Sequence, residues 1–436
     1  MIRMEVVIEK MVHGGQGMGR DEEGRIVFID RGYPGEIVDV EITRERKDFR
    51  FGRICSFIYR SPKRSGPVCG VWNECGGCDW LDYEYESQIQ AKQKILEEQF
   101  LRTLGIDLTP FCQPFVGSPE LHHYRNKMEY FHQKTDSGYR ICLHSRFGFR
   151  GVIPEGCKVA PKVFGRILKE LSKGDFQNLT ETTHTVLRIS KSTGAIALIW
   201  VGLKNPDRRI ERAAQMIANR FPVLSSVTYV IHSGRKAALD GRAVPLIGEP
   251  FLEETICGFR YIIPSTSFFQ INVPVAEMVL ETIKALWSPT PKERVLDLYG
   301  GVGLFSVFFG SLVREIVTVE LNKASVSAAR KNAKVNNIPA MKAESAKCAT
   351  FLRSQPQNRW DTIIMDPPKS GVEKEVISEI IRIRPKRMIY VSCDPASLTR
   401  DLKLLTDSGF LLDHVQGLDM FPHTGHFESI TVLKGP

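Results

Sequence analysis

The chain has 436 residues, 42% of them hydrophobic, which is length for about three domains of roughly 150 residues each and an ordinary apolar content for a globular protein. No apolar run approaches the roughly 20 residues needed to span a bilayer, and the charged start Met1-Ile2-Arg3-Met4-Glu5 lacks a signal-peptide core, so the expectation is a cytoplasmic protein with no membrane partner. The net charge is +9, which points towards a polyanion partner.

Residues 1–58 read as short strands at Val6–Ile8, Ile26–Ile29, Ile37–Ile42 and Gly52–Ile58, separated by Gly/Pro turns such as Gly14–Gly19 and Arg31–Gly35. That pattern predicts a small OB-like barrel, a type that commonly binds oligonucleotides. Eight basic side chains (Arg44, Arg46, Lys47, Arg50, Arg53, Arg60, Lys63, Arg64) against two acidic ones over 44–64 suggest a cationic patch on it. Ser61–Pro67 is a linker by composition. Ten cysteines occur in the chain. Without a secretion signal they argue for metal binding, catalysis or packing rather than a disulfide scaffold. Cys69, Cys75 and Cys78 form a cluster that cannot complete a four-coordinate site alone, and on spacing both zinc and iron–sulfur remain open. Cys55, Cys257 and Cys348 read as packing residues. An amphipathic helix follows over 84–104, with Ile89, Leu96 and Phe100 on one side; it has the character to pack on the C-terminal domain. Residues 115–258 mix strands with a helix at about 208–220.

From about 259 onward strands and helices alternate, with strands at 294–299, 316–320, 361–365, 387–392 and 429–434. This predicts a mostly parallel, doubly wound sheet with a nucleotide site at its carboxyl edge. Val295–Tyr299 runs into Gly300-Gly301-Val302-Gly303 and then an apolar helix, so the backbone there can approach a ligand closely. The next strand ends in Glu320, a carboxylate that can accept from both ribose hydroxyls of a nucleoside. A dinucleotide fingerprint wants a third glycine near 306, where Ser306 stands, which tilts the reading to S-adenosylmethionine. Two further strand ends carry Asp366-Pro367-Pro368-Lys369-Ser370-Gly371 and Ser392-Cys393-Asp394-Pro395. A cysteine at a strand end is placed for nucleophilic work, though a free thiol of pKa near 8.5 is only about 3% thiolate at neutral pH. Glu428, just before the last strand, is a candidate general base.

The segments 366–371, 392–395 and Phe421-Pro422-His423-Thr424-Gly425-His426-Phe427-Glu428 together resemble the signatures of the RNA uracil-5 methyltransferase family. Residues 1–58 resemble a TRAM domain, and Cys69-x5-Cys75-Gly-Gly-Cys78 resembles the family's iron–sulfur motif. The resemblance implies an α/β protein in three parts: a TRAM OB-like barrel over 1–58, a mixed α+β central domain with the cysteine cluster over 59–258, and a Rossmann-like, S-adenosylmethionine-dependent methyltransferase domain over 259–436. It implies that Cys393 adds to C6 of a uridine and that Glu428 removes the C5 proton after methyl transfer. Gln270, Tyr299, Glu320 and Asp366, with Gly301 and Gly303 of the glycine turn, would bind the cofactor; Leu304 stands where some relatives carry a polar contact. Cys157 would complete a [4Fe-4S] site with Cys69, Cys75 and Cys78, with Cys112 and Cys142 as competitors. A TRAM domain combined with a cysteine cluster resembles the branch acting on 23S ribosomal RNA, with no obligate protein partner. The alternatives are a tRNA uracil-5 methyltransferase, a cytosine-5 enzyme, and a non-catalytic RNA-binding assembly factor.

Overall fold

The computed structural model describes residues 2–136, 138–148, 150–176, 179, 181–234 and 239–436. Five strands, β1 (Arg3–Met11), β2 (Gly17–Arg20), β3 (Ile26–Asp30), β4 (Ile37–Glu45) and β5 (Phe49–Tyr59), close into a barrel in the order β1-β2-β3-β5-β4. Alternation produces it: Val6, Ile8, Val27, Ile29, Val38 and Val40 all turn into the barrel core, with polar residues between them facing out. β2 falls inside the glycine run that reads as a turn. A glycine-rich strand shows no apolar alternation, and its place is set by close approach: a Cβ on Gly19 would lie 2.3 Å from the Val7 carbonyl oxygen.

Three members of the expected cationic patch are held by carboxylates. Arg50 Nη1 lies 2.6 Å from Asp21, Arg53 lies 2.7 Å from Glu41, and the buried Arg64 guanidinium bridges Glu36 and Asp82. These arginines close the barrel and anchor the linker rather than face a polyanion. Cys55 is exposed rather than packed, whereas Cys348 is buried and Cys257 half-buried.

Helix α1 (Tyr85–Leu104) contains neither Gly nor Pro and ends at Gly105, whose φ of 68° is a left-handed cap with its N–H bonded to the Leu101 carbonyl. Then come β6 (Lys127–Thr135), β7 (Gly138–His144), β8 (Gly151–Val152), α2 (Lys162–Leu171), β9 (Thr182–Ile189), β10 (Ile196–Gly202), α3 (Arg208–Arg220), β11 (Leu224–His232) and β12 (Gly241–Ile247). These strands form one sheet, β12-β11-β10-β9-β6-β7-β8. The apolar faces of α2 and α3 cover it around Tyr130, Leu198, Trp200 and Tyr229. A hairpin of β13 (Phe251–Ile256) and β14 (Phe259–Pro264) leads into the last sheet.

That sheet is built from α4 (Val273–Trp287), β15 (Arg294–Leu298), α5 (Leu304–Phe309), β16 (Glu315–Glu320), α6 (Lys323–Val335), β17 (Met341–Ser345), α7 (Cys348–Arg353), β18 (Thr362–Met365), α8 (Lys374–Ile383), β19 (Arg387–Ser392), α9 (Pro395–Thr406), β20 (Leu411–Leu418) and β21 (Glu428–Lys434). The strand order is β17-β16-β15-β18-β19-β21-β20. β15 to β19 run parallel, and β21 runs antiparallel to both of its neighbours. One face carries α4, α5 and α6, and the other carries α7, α8, α9 and also α1. The helix at 85–104 therefore packs on this sheet, although it precedes the central sheet in the chain. The edge strands β17 and β20 go unread in the sequence, because a strand buried on few positions shows a short or broken pattern. Among the described residues, no helix is long and apolar enough to cross a membrane.

α1 is also tied to the loop before β21 by charge. Lys92 Nζ lies 2.6 Å from Asp419 Oδ1, and both side chains are fully buried. Tyr85 donates its hydroxyl hydrogen bond to the other Asp419 oxygen at 2.9 Å. Removing one member of such a pair leaves an uncompensated buried charge, so Lys92→Ala is expected to cost about 3–5 kcal/mol in urea unfolding. A loss below about 1 kcal/mol would mean that Asp419 finds water or another partner.

Candidate functional site

In a parallel sheet every strand's carboxyl end lies at one edge. β15, β18 and β19 therefore deliver the turn 299–303, Asp366 and Cys393 to the same edge. β21 is antiparallel, so its first residue, Glu428, arrives there too. The β19–β21 register pairs Ser392 with Ser429, so the next pair outward is Cys393 opposite Glu428, about 4.5–5.5 Å apart at the backbone.

The turn after β15 is held tightly. Tyr299, Gly301 and Gly303 have φ of 59°, 55° and 86°, a left-handed region in which the two glycines are free of Cβ strain. Asp297 is fully buried and accepts a hydrogen bond from Ser306 at 2.7 Å. Ser306, in the place of a third glycine, thus braces the turn from beneath. Asp297 is raised to about 7 by burial. Glu320 accepts from the Gly301 N–H at 3.2 Å and the Asn322 N–H at 2.6 Å, which orients its carboxylate beside the turn with lone pairs to spare for hydroxyl donors. Gln270 donates its side-chain amide to Asp366 Oδ2 at 3.0 Å. The Tyr299 hydroxyl donates to Glu373 at the start of α8, and the buried Leu304 lends its carbonyl to Tyr261 at 3.1 Å.

Cys393 is half-buried. Burial, then the negative fields of Glu428, Asp366 and Asp394, push its thiol up to about 12, with Lys369 pulling the other way. Glu428 is 3% exposed, and its Oε1 has no hydrogen-bond partner. Burial and the neighbouring Asp366 raise its carboxyl well above the usual range. Asp366 is raised by burial and by Asp297. The edge thus holds a half-buried thiol and a buried carboxyl, both raised by burial and by neighbouring acids.

Two partners of this edge come from distant sequence and were not anticipated. His13, in the turn between β1 and β2, lies 3.2 Å from Asp394. Asp394 also caps α9 by accepting from the Ser397 N–H at 2.8 Å. Despite burial, these partners hold it below the usual carboxylate range. The barrel turn packs backbone to backbone on the loop before Glu428: a Cβ on Gly425 would lie 2.2 Å from the Gly15 nitrogen. The His-Gly-Gly between two strands is the one sequence signal that could have flagged this contact.

Cys69, Cys75, Cys78 and Cys157 line a single cavity of about 290 Å³. Cys112 instead lies beside β20, and Cys142 is buried in β7. Burial pushes the Cys78 thiol up to about 12, offset in part by the Arg125 guanidinium. Among the described residues, no group of three or more His, Cys, Asp or Glu side chains converges closely enough to grip a single ion.

Comparison with known proteins matches this architecture from end to end. The chain is 34% identical over 442 residues to an RNA methyltransferase of Thermotoga maritima, covering 99% of each. It is 31% identical over 441 residues to one of Gloeobacter violaceus, covering 98% of this chain and 96% of that one. A crystal structure of Pyrococcus abyssi tRNA (uracil-54, C5)-methyltransferase in complex with S-adenosyl-L-homocysteine superposes with a TM-score of 0.76 at 25% identity, over 99% of both chains. The TRAM domain model matches residues 3–55. The tRNA (uracil-5-)-methyltransferase family model matches residues 84–435, so the chain belongs to that family of RNA methyltransferases.

Proposed function

We propose that the chain methylates C5 of a uridine in RNA, with Cys393 as nucleophile and Glu428 as base. The observation that carries this reading is the facing of these two side chains across β19 and β21, beside the glycine turn. S-adenosylmethionine supplies the electrophilic methyl on a sulfonium. Gly301 and Gly303 let the nucleoside approach, Glu320 accepts from its ribose hydroxyls, and Gln270, Tyr299 and Asp366 complete its pocket. A cation there offsets the crowding of acids and lowers the cost of forming a thiolate. Cys393 gives its proton to solvent, the resulting thiolate adds to uracil C6, and the C5–C6 pair of electrons moves into an enolate. C5 would then take the methyl as its bond to the sulfonium sulfur breaks. Glu428 takes the C5 proton, the double bond re-forms, and the C6–S bond breaks to release the enzyme. Burial and Asp366 favour the protonated form of Glu428, so its action as a base depends on the positive charge bound beside it.

We further propose that Cys69, Cys75, Cys78 and Cys157 hold a [4Fe-4S] cluster. Four sulfurs spread around a cavity, rather than converging on a point, suit a multi-iron group better than zinc. The methyl transfer needs no electron from it. The barrel over 1–58 holds RNA near the edge through the contacts of its 12–16 turn. The proposed target is a uridine of 23S ribosomal RNA. The tRNA reading gains support from the P. abyssi enzyme, whose likeness spans the barrel and cysteine region as well. Mapping 5-methyluridine in ribosomal and transfer RNA from cells lacking the gene decides between them.

Three outcomes test the site. Glu428→Gln is expected to slow turnover by about 100-fold or more and to accumulate a covalent protein–RNA adduct, whereas Cys393→Ala yields neither product nor adduct. Wild-type turnover by either variant would sink the scheme. With the thiol near 12, alkylation of Cys393 in the free protein, followed by peptide mass mapping, should rise about tenfold per pH unit from about 7 to 9 with no plateau; a plateau near 8 to 9 marks an ordinary thiol. Cys157→Ser should lose bound iron and sulfide, while Cys112→Ser and Cys142→Ser retain both; the reverse pattern would assign a different fourth ligand.

A further inference from the structure

We infer that the groove between α2 and the 153–161 loop binds the phosphate backbone of the RNA, outside the reactive edge. This rests on the RNA-substrate reading above. The groove has a volume of about 760 Å³, and the cations Lys158, Lys162, Arg166 and Lys169 outnumber its acid, Glu155, with apolar side chains such as Ile153 beside them. Positions 162, 165, 166 and 169 share one helical face, while Phe164, Ile167, Leu168 and Leu171 on the other face are buried in the central core.

Three features point to a polyanion. Among the described residues, Lys158, Lys162, Arg166 and Lys169 have no ion-pair partner, whereas Glu170 beside them is engaged by Lys173 at 2.6 Å and by Arg220. Like charges three and four apart on a helix repel, so the cluster brings the helix no local benefit. Arg50, Arg53 and Arg64, by contrast, are engaged by carboxylates. Gly165 sits amid the cations, where an added Cβ would meet nothing within 4 Å, so the helix backbone lies open to close approach by a phosphate strand.

The third feature is continuity with the site. The His123 N–H bonds the Lys158 carbonyl at 2.7 Å, and the Arg125 N–H bonds the Val159 carbonyl at 3.1 Å. On the opposite side of the same segment, His122 stacks on His423 with ring centres 5.1 Å apart, and Asn126 donates to the Gln270 carbonyl at 2.9 Å. One bent segment, 122–126, therefore separates the groove from the reactive edge. An RNA strand with its uridine at Cys393 can continue over that segment onto α2. The contacts are to phosphates, so the groove contributes affinity and strand direction and does not read sequence.

The test uses the full-length protein with transcribed 23S ribosomal RNA and transfer RNA, measuring Kd across a range of potassium chloride concentrations. Lys162→Gln/Arg166→Gln/Lys169→Gln is expected to make the slope of log affinity against log salt shallower by about two to three, and to weaken binding about tenfold or more near physiological salt. Gly165→Glu, which keeps every cation but adds a carboxylate, should also weaken binding. Lys162→Arg/Lys169→Arg should retain the wild-type slope. Melting temperatures that match the unaltered protein confirm the fold. An unchanged slope and Kd in the triple variant overturns the proposal and would instead suit a surface for an acidic protein. That failure leaves the reactive edge standing, and absence of 5-methyluridine formation by the unaltered chain would sink the edge and leave this binding measurement intact.

Discussion

The reversal of one strand governs the C-terminal sheet. β21 is 7 residues long, about 20 Å of extended chain. Were it parallel to β19, Glu428 would begin at the amino edge, a full strand length from Cys393. Entering antiparallel between β19 and β20, it puts a carboxylate at the edge where the parallel strands end. The pairing of Ser392 with Ser429 then sets this proximity by backbone hydrogen bonding rather than by flexible side-chain reach. A one-residue slip would turn Glu428 to the other face of the sheet.

That edge concentrates acid in a dry place. Asp297, Asp366 and Glu428 all have raised carboxyls, with burial as the leading cause in each, and the thiol of Cys393 is raised by the same surroundings. Groups so arranged cannot all ionise without a compensating charge. The protein supplies little of it locally: Lys369 acts on Cys393 from the rim, and His13 is committed to Asp394. A ligand carrying its own positive charge fits the field as well as the shape, which favours a sulfonium over a neutral or anionic cofactor.

The loop leading into Glu428 is clamped from three directions. α1 holds it through Lys92 and Asp419. The cysteine segment holds it through the Asp79 and Trp80 N–H groups, both bonded to the His423 carbonyl. The barrel packs on it through Gly15, whose carbonyl also receives the Trp80 indole at 2.9 Å. Arg146 links Asp30 of the barrel to Asp79 of that same segment. A barrel joined in this way has its position relative to the reactive edge set by hydrogen bonds and packing, rather than by the 61–67 linker.

Where an element's pattern is local, its amino acids were enough to define it. The glycine turn after β15, the amphipathic α1, α3 at 208–220 and the strand ends at 366 and 393 could all be read directly, because each depends on a periodicity or on residues adjacent in the chain. The motif around Glu428 was legible for the same reason. Non-local balances were not. Whether Arg50 and Arg64 face RNA or Asp21, Glu36 and Asp82 depends on residues up to dozens of positions away. The same is true of His13 meeting Asp394 and of the unpaired cations collecting on α2, while Cys157 could be grouped with the other cysteines only through the family resemblance. Charge and thiol chemistry act through space at a few ångströms, and only the folded chain decides which groups share that distance.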